Sequence, residues 1–131
     1  MPGPNTRERI LDEALASFGT KGYESTSLDA LAAQLGLTKQ AILYHFASKE
    51  LLLEAVIDRS AADLSATLEA ALLGAGEDGW ARIEAIVRSV FLLAARRPVL
   101  LGLLREVTRL GPPAATRLMA ALDPLVARAT G

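Results

Sequence analysis

The 131-residue chain contains no cysteine. Disulfide staples, thiolate zinc sites and cysteine nucleophiles are excluded together. Histidine occurs once, which rules out a histidine-rich metal centre, and no cofactor or metal is expected. Neither sign of charge dominates, with 14 Lys and Arg against 15 Asp and Glu. A global basic field for nucleic acid is therefore lacking, although a local patch would suffice for binding. Long apolar runs are missing too. VFLLAA from Val90 and VLLGLL from Val99 fall far short of the roughly 20 residues needed to span a bilayer. The opening MPGPNTRER has no apolar signal-peptide core. The expectation is a soluble, cytoplasmic protein with no membrane partner.

Strand signals are scarce, whereas Ala, Leu, Glu and Arg abound, as helices prefer. The fold class read from this pattern is all-α. Met1 to Pro4 reads as a loose tail, and Asn5 with Glu8 has capping-box spacing. A first helix then runs to about Lys21, with Ile10, Leu11, Ala14, Leu15 and Phe18 inward and Gly22 ending it. A fourth, long helix opens at Ser48 and carries Leu52, Ala55, Val56, Leu64, Leu68 and Leu72. GAGEDG (74–79) reads as a flexible break. The fifth helix, Gly79 to Arg96, places Ile83, Ile86, Val87, Val90 and Phe91 on its expected inner face. The sixth starts at Pro98, with Leu100, Leu101, Leu104 and Val107 inward. After Gly111-Pro112-Pro113, the last carries Leu118, Met119, Leu122 and Leu125.

Between the first and fourth helices lies the most informative stretch, SLDALAAQLGLTKQAILYHFASKE, from Ser27 to Glu50. Leu28, Leu31, Ala32 and Leu35 follow the i, i+3, i+4, i+7 spacing of one helical face. Ser27 is placed to cap that second helix and Thr38 to cap a third. Gly36 between them can take the positive φ that a tight turn requires. Helices joined so closely cross steeply, which is helix-turn-helix geometry. Ala32 must then be small beneath the crossing, and Ile42 packs the third helix on the second.

GYESTSLDALAAQLGLTKQAILYHFASKELL resembles the DNA-binding domain of the tetracycline-repressor (TetR) family of bacterial transcription regulators. The likeness rests on the first-helix stripe ending in Phe18, then Gly22-Tyr23, Thr26-Ser27, Leu31-Ala32, Gly36-Leu37-Thr38, Tyr44-His45-Phe46 and Ser48-Lys49-Glu50. It covers roughly residues 7 to 54 without a gap. Two positions depart from the family pattern. Leu43 stands where a Tyr that commonly touches the DNA backbone is usual, and Gln40 stands where Gly is frequent.

The resemblance implies a DNA-binding set of Thr26, Ser27, Thr38, Lys39, Gln40, Ala41, Tyr44, His45 and Lys49. Lys39 and Gln40 open the recognition helix, where a Lys can donate to guanine and a Gln can pair bidentately with adenine. Ala41 could meet a thymine methyl. Thr38 and Ser27 are caps first, and His45 beside Phe46 reads chiefly as a packing residue. Lys49 would offer a phosphate both an ammonium and a helix N-terminus.

Residues 1–49 then read as a helix-turn-helix domain and 50–131 as a helical ligand-binding and dimerisation domain. That second half is short for the family, which usually adds two C-terminal helices. Trp80, Phe91, Leu104 and Met119 are the candidate lining of its ligand pocket, with plain core as their simpler role. Glu84 and Arg88 read as a surface pair, and Glu50, Glu54 and Asp58 as a solvated row. The expected partners are palindromic double-stranded operator DNA, an unknown small-molecule effector and a second copy of the chain. The expected function is a ligand-released repressor. A protein-interaction module using the same surface is the alternative. A small enzyme using His45 and Glu50 is a remote one, since no nucleophile, metal cluster or phosphate loop accompanies them.

Overall fold

The computed structural model describes residues 5–130, with side chains followed to Pro124 and at Ala127. The expected tail Met1–Pro4 and the side chain of Leu125 lie outside the described residues. Among the described residues seven helices follow one another: α1 (Thr6–Thr20), α2 (Leu28–Leu35), α3 (Lys39–His45), α4 (Lys49–Ala75), α5 (Gly79–Arg96), α6 (Pro98–Leu110) and α7 (Pro112–Thr130). Among the described residues there is no strand, so the fold is all-α.

The stripe expected on α1 is buried as a whole, with Ile10, Leu11, Ala14, Leu15 and Phe18 in the core. Each large aliphatic or aromatic side chain buried there contributes about 1.5–3 kcal/mol. The capping box is not made. Asn5 has φ −96° and ψ 5°, not the extended backbone from which a cap reaches the free amides, and its side chain makes no cap bond. Glu8 pairs instead with Arg59 of α4, at 3.1 Å. The core formed by α1 to α4, including Ile42, Phe46, Leu52, Val56 and Ile57, extends without interruption to Leu103 and Val107 of α6.

The second half departs from the sequence expectation in three places. Of GAGEDG, only residues 76–78 lie outside a helix, so the break is a three-residue turn. Gly76 ends α4, and Asp78 caps α5 by accepting the Ala81 N–H at 3.2 Å. On α5, Ile83, Val87, Val90 and Phe91 are exposed with Trp80, while Ala85, Ile86, Ser89 and Leu93 are half-buried on nearly the opposite side. This helix is apolar on two sides, and periodicity does not say which one meets α4.

On α6, the buried residues are Gly102, Leu103, Glu106 and Val107, while Leu101 and Leu104 stay half in water. Its buried face is rotated by roughly a third of a turn from the leucine stripe. The cause is backbone contact. A Cβ on Gly102 would stand 1.9 Å from the Gly19 carbonyl oxygen, and one on Gly19 would stand 2.6 Å from that of Val99. Two glycines thus let α1 and α6 touch where leucines could not. On α7, Met119 is exposed, and Leu118 and Leu122 are half-buried.

Candidate nucleic-acid interface

Residues 27–50 build the helix-turn-helix as their sequence requires. Ser27 accepts the Ala30 N–H at 3.0 Å and so starts α2. Gly36 has φ 70°, and Leu37 donates its N–H back to the Ala32 carbonyl at 2.8 Å, closing the helix in a Schellman pattern. A Cβ on Gly36 would meet nothing within 4 Å, so the glycine is there for its dihedral angles and not for space. Thr38 accepts the Ala41 N–H at 3.1 Å and starts α3. Ile42 is fully buried under α3 and Ala32 is buried beneath the crossing. Ser48 caps α4 through the Leu51 N–H at 3.1 Å.

This scaffold turns a small set of polar side chains outward. Thr38, Lys39 and Gln40 are exposed, and Tyr44 is 83% exposed. Leu43, at the position of the missing Tyr, is half-buried and offers no hydrogen bond. Ala41 is half-buried. Lys49 sits at the first turn of α4 with its ammonium 4.2 Å from the centre of the Tyr23 ring, a cation–π contact that holds the charge beside the helix N-terminus. Ser27 is exposed at the start of α2.

Two expected members face inward. Thr26 is buried; its hydroxyl donates to the Gly22 carbonyl at 2.8 Å and accepts from Ser17 at 2.7 Å. With its hydrogen-bonding capacity used inside the head, it holds the turn before α2. His45 is half-buried, with its ring edge-on to Tyr44 at 5.1 Å and its Nε2 enclosed with no hydrogen-bond partner among the described residues. A ring nitrogen so enclosed does not present itself to a groove.

Residues 1–49 carry five cations and five carboxylates, and their arrangement matters more than their sum. Glu8 and Asp12 pair with Arg59 at 3.1 and 2.8 Å, and Glu24 lies 3.8 Å from Arg109. These three acids are engaged by cations of the second half. Asp29 differs from them, because its carboxylate lies 4.0 Å from the Lys39 ammonium on the exposed face.

Several supports were not legible beforehand. Arg9 donates to the Leu35 carbonyl at 3.0 Å, tying α1 to the end of α2. The Arg7 guanidinium lies 4.9 Å over the Phe46 ring. Glu106, buried on α6, accepts the Tyr23 backbone N–H at 2.7 Å and two hydrogen bonds from Arg109. The Arg109 hydrogen bonds hold its carboxyl below the usual value against the opposing effect of burial, and the Tyr23 amide adds to the lowering. Burial, and then the Glu50 charge, pushes the Tyr23 phenol up. Arg117 of α7 bridges Glu54 at 3.0 Å and Asp58 at 2.5 Å, so those two members of the acidic row anchor α7 rather than forming an empty solvated face. Glu84 and Arg88 pair as expected.

The second half contains an apolar cavity of about 210 Å³ among α4, α5, α6 and α7. Of the four residues expected to line a pocket, the structure brings Leu104 to it. Trp80, Phe91 and Met119 stand exposed elsewhere. The cavity draws instead on Leu93, Leu103 and Val107, which the α5 and α6 leucine stripes did not separate from core.

A capped, projecting α3 on a three-helix head defines a helix-turn-helix protein, and comparison with known proteins agrees. Residues 10–56 match the N-terminal model of bacterial regulatory proteins of the tetR family. Over 48 residues the chain is 38% identical to IcaR of Staphylococcus aureus, described as the HTH-type negative transcriptional regulator of the biofilm operon icaADBC. That match covers 37% of this chain and 26% of IcaR. Among solved structures, the TetR-family regulator PfmR from Thermus thermophilus superposes with a TM-score of 0.69 at 34% identity, covering 90% of this chain and 63% of PfmR. A TetR-family regulator from Bordetella parapertussis gives 0.78 at 24% identity, covering 97% of this chain and 66% of that one. Residues 10–56 thus match the N-terminal domain of the tetR family, and nearly the whole chain is similar in fold to solved TetR-family regulators. The matched stretch spans about a quarter of the length of the curated relative IcaR.

Proposed function

We propose that the chain is a sequence-specific transcriptional regulator that binds double-stranded operator DNA. The observation that carries this reading is the exposed edge of α3: a Thr38-capped start with Lys39, Gln40 and Tyr44 in water above a buried Ile42. A recognition helix reads base edges with its N-terminal residues. Lys39 and Gln40 hold those positions, and Ala41 flanks them. Lys49, Ser27, Thr38 and Tyr44 supply phosphate contacts that set register. Thr26 and His45 support the head from within. The negative regulator IcaR favours repression as the outcome.

In this reading residues 1–49 are the DNA-binding unit and 50–131 the regulatory unit. The protein acts in the cytoplasm as a homodimer on a palindromic site, its two recognition helices about 34–36 Å apart to reach successive major grooves. A small molecule bound in the second half releases the operator through its different affinity for DNA-bound and free conformations. Fluorescence anisotropy with duplexes from the neighbourhood of its gene tests the proposal. Affinity should fall steeply between about 50 and 200 mM salt as counterions are released. A folded protein that binds none of these duplexes at low salt would move α3 to the role of a protein-binding surface.

A further inference from the structure

We propose that the cavity among α4, α5, α6 and α7 takes an uncharged, largely apolar small molecule held by one hydrogen bond to Ser60. This rests on the reading of residues 50–131 as the effector-binding half and gives that effector a chemical class. The walls are aliphatic, with Ile57 and Leu64 of α4, Leu93 of α5 and Leu103 and Val107 of α6, and among the described residues no charged side chain lines the cavity. Among the described residues Ser60 is the one polar side chain in the lining. It is 9% exposed, and its hydroxyl has no hydrogen-bond partner among the described residues, not even a carbonyl of its own helix.

A hydroxyl left unpaired in an apolar wall is costly, so an occupant that pairs with it gains over one that does not. Water is a poor occupant, because a buried water needs two to four polar partners and the lining side chains offer one. An ionised ligand is poorer still, with no counter-charge to meet it. The volume sets the size. A cavity of about 150 Å³ lined by Leu, Ile and Phe holds benzene, so about 210 Å³ suits a molecule of about eight or nine heavy atoms. Val90 of α5 and Leu101 and Leu104 of α6 line the cavity and are each about half exposed, which gives such a molecule a way in.

Isothermal titration calorimetry on the whole chain tests this with 1-octanol, octanoate and ethylbenzene at neutral pH. Octanol should bind saturably, and octanoate at least about tenfold more weakly, because its carboxylate would be buried unpaired. Ser60→Ala should weaken octanol by about tenfold and leave ethylbenzene unchanged. Ala94→Leu, which fills the cavity from α5, should weaken all binding, with the thermal transition showing that the variant folds. Octanoate binding as tightly as octanol, or octanol binding unaffected by Ser60→Ala, overturns the proposal, as does a folded protein that takes up no octanol. Duplex binding is measured on the same preparation without additive. Octanol uptake without duplex binding removes the regulator reading alone, and duplex binding without octanol uptake removes this one alone.

Discussion

Gly102 of α6 lies backbone to backbone against Gly19 of α1, so closely that a Cβ on Gly102 would stand 1.9 Å from the Gly19 carbonyl oxygen. The neighbour is main chain and cannot swing aside. Gly102→Ala should therefore destabilise the protein by about 3 kcal/mol or more, because the two helices must separate. Gly74→Ala is the control. Its Cβ would meet nothing within 4 Å, so helix propensity alone should add about 0.5 kcal/mol of stability. Urea unfolding followed by circular dichroism measures both, and equal effects from the two substitutions would refute the crossing as the cause.

The exposed edge of α3 gives a second prediction. Lys49→Ala, at a phosphate contact, should lower the slope of log affinity against log salt by about one and weaken all duplexes alike. Gln40→Ala should leave that slope unchanged and cost about 1–3 kcal/mol on the preferred duplex, with relaxed choice at one base pair. A Gln40 variant that loses affinity for every duplex equally would place Gln40 on the backbone instead.

Asp29 opposes Lys39 on the same face. Exposed pairs of this kind contribute about 0.2–1 kcal/mol, so releasing Lys39 with Asp29→Asn should tighten duplex binding by up to about fivefold. Competition titrations at low salt would show it, and weaker binding by the variant would mean that Asp29 positions Lys39 for contact.

Glu106 predicts a pH dependence. Its carboxyl is held below the ordinary value, chiefly by Arg109. A carboxyl with a lowered folded pKa stabilises the fold above its unfolded pKa of about 4.3 and loses that contribution as pH falls through the folded value. Glu106→Gln should thus be less stable than the parent by about 1–2 kcal/mol at neutral pH, where charged hydrogen bonds to Arg109 and Tyr23 are weakened. The difference should close in acid. Denaturation midpoints between neutral and acidic pH, parent against variant, decide whether it does.

The first half was legible because its signals are local. Ser27, Thr38 and Ser48 each cap the next helix through an amide three residues on, and Gly36 takes the one backbone conformation its turn demands. Sequence spacing is enough for such features. The second half turns on which surfaces meet. The α6 stripe of leucines is real, yet α6 seats itself by Gly102 and a buried Glu106, a glycine and an acid that no hydrophobic pattern ranks as core. Thr26 and His45 show the same limit within the head. Their residue types suit DNA, but Thr26 spends its hydroxyl on Gly22 and Ser17 while His45 keeps Nε2 enclosed.

The apolar stripe that α5 leaves in water has a practical meaning for anyone who purifies this chain. Trp80, Ile83, Val87 and Phe91 recur at helical spacing and are all more than half exposed. Hydrophobic dyes such as ANS, whose fluorescence usually marks loosened packing, should light up on the intact native chain. Dye brightness is therefore no gauge of unfolding here. The near-ultraviolet dichroism of the buried Phe18 and the half-buried Tyr23, whose rings sit 5.3 Å apart, will report the integrity of the core where the dye does not.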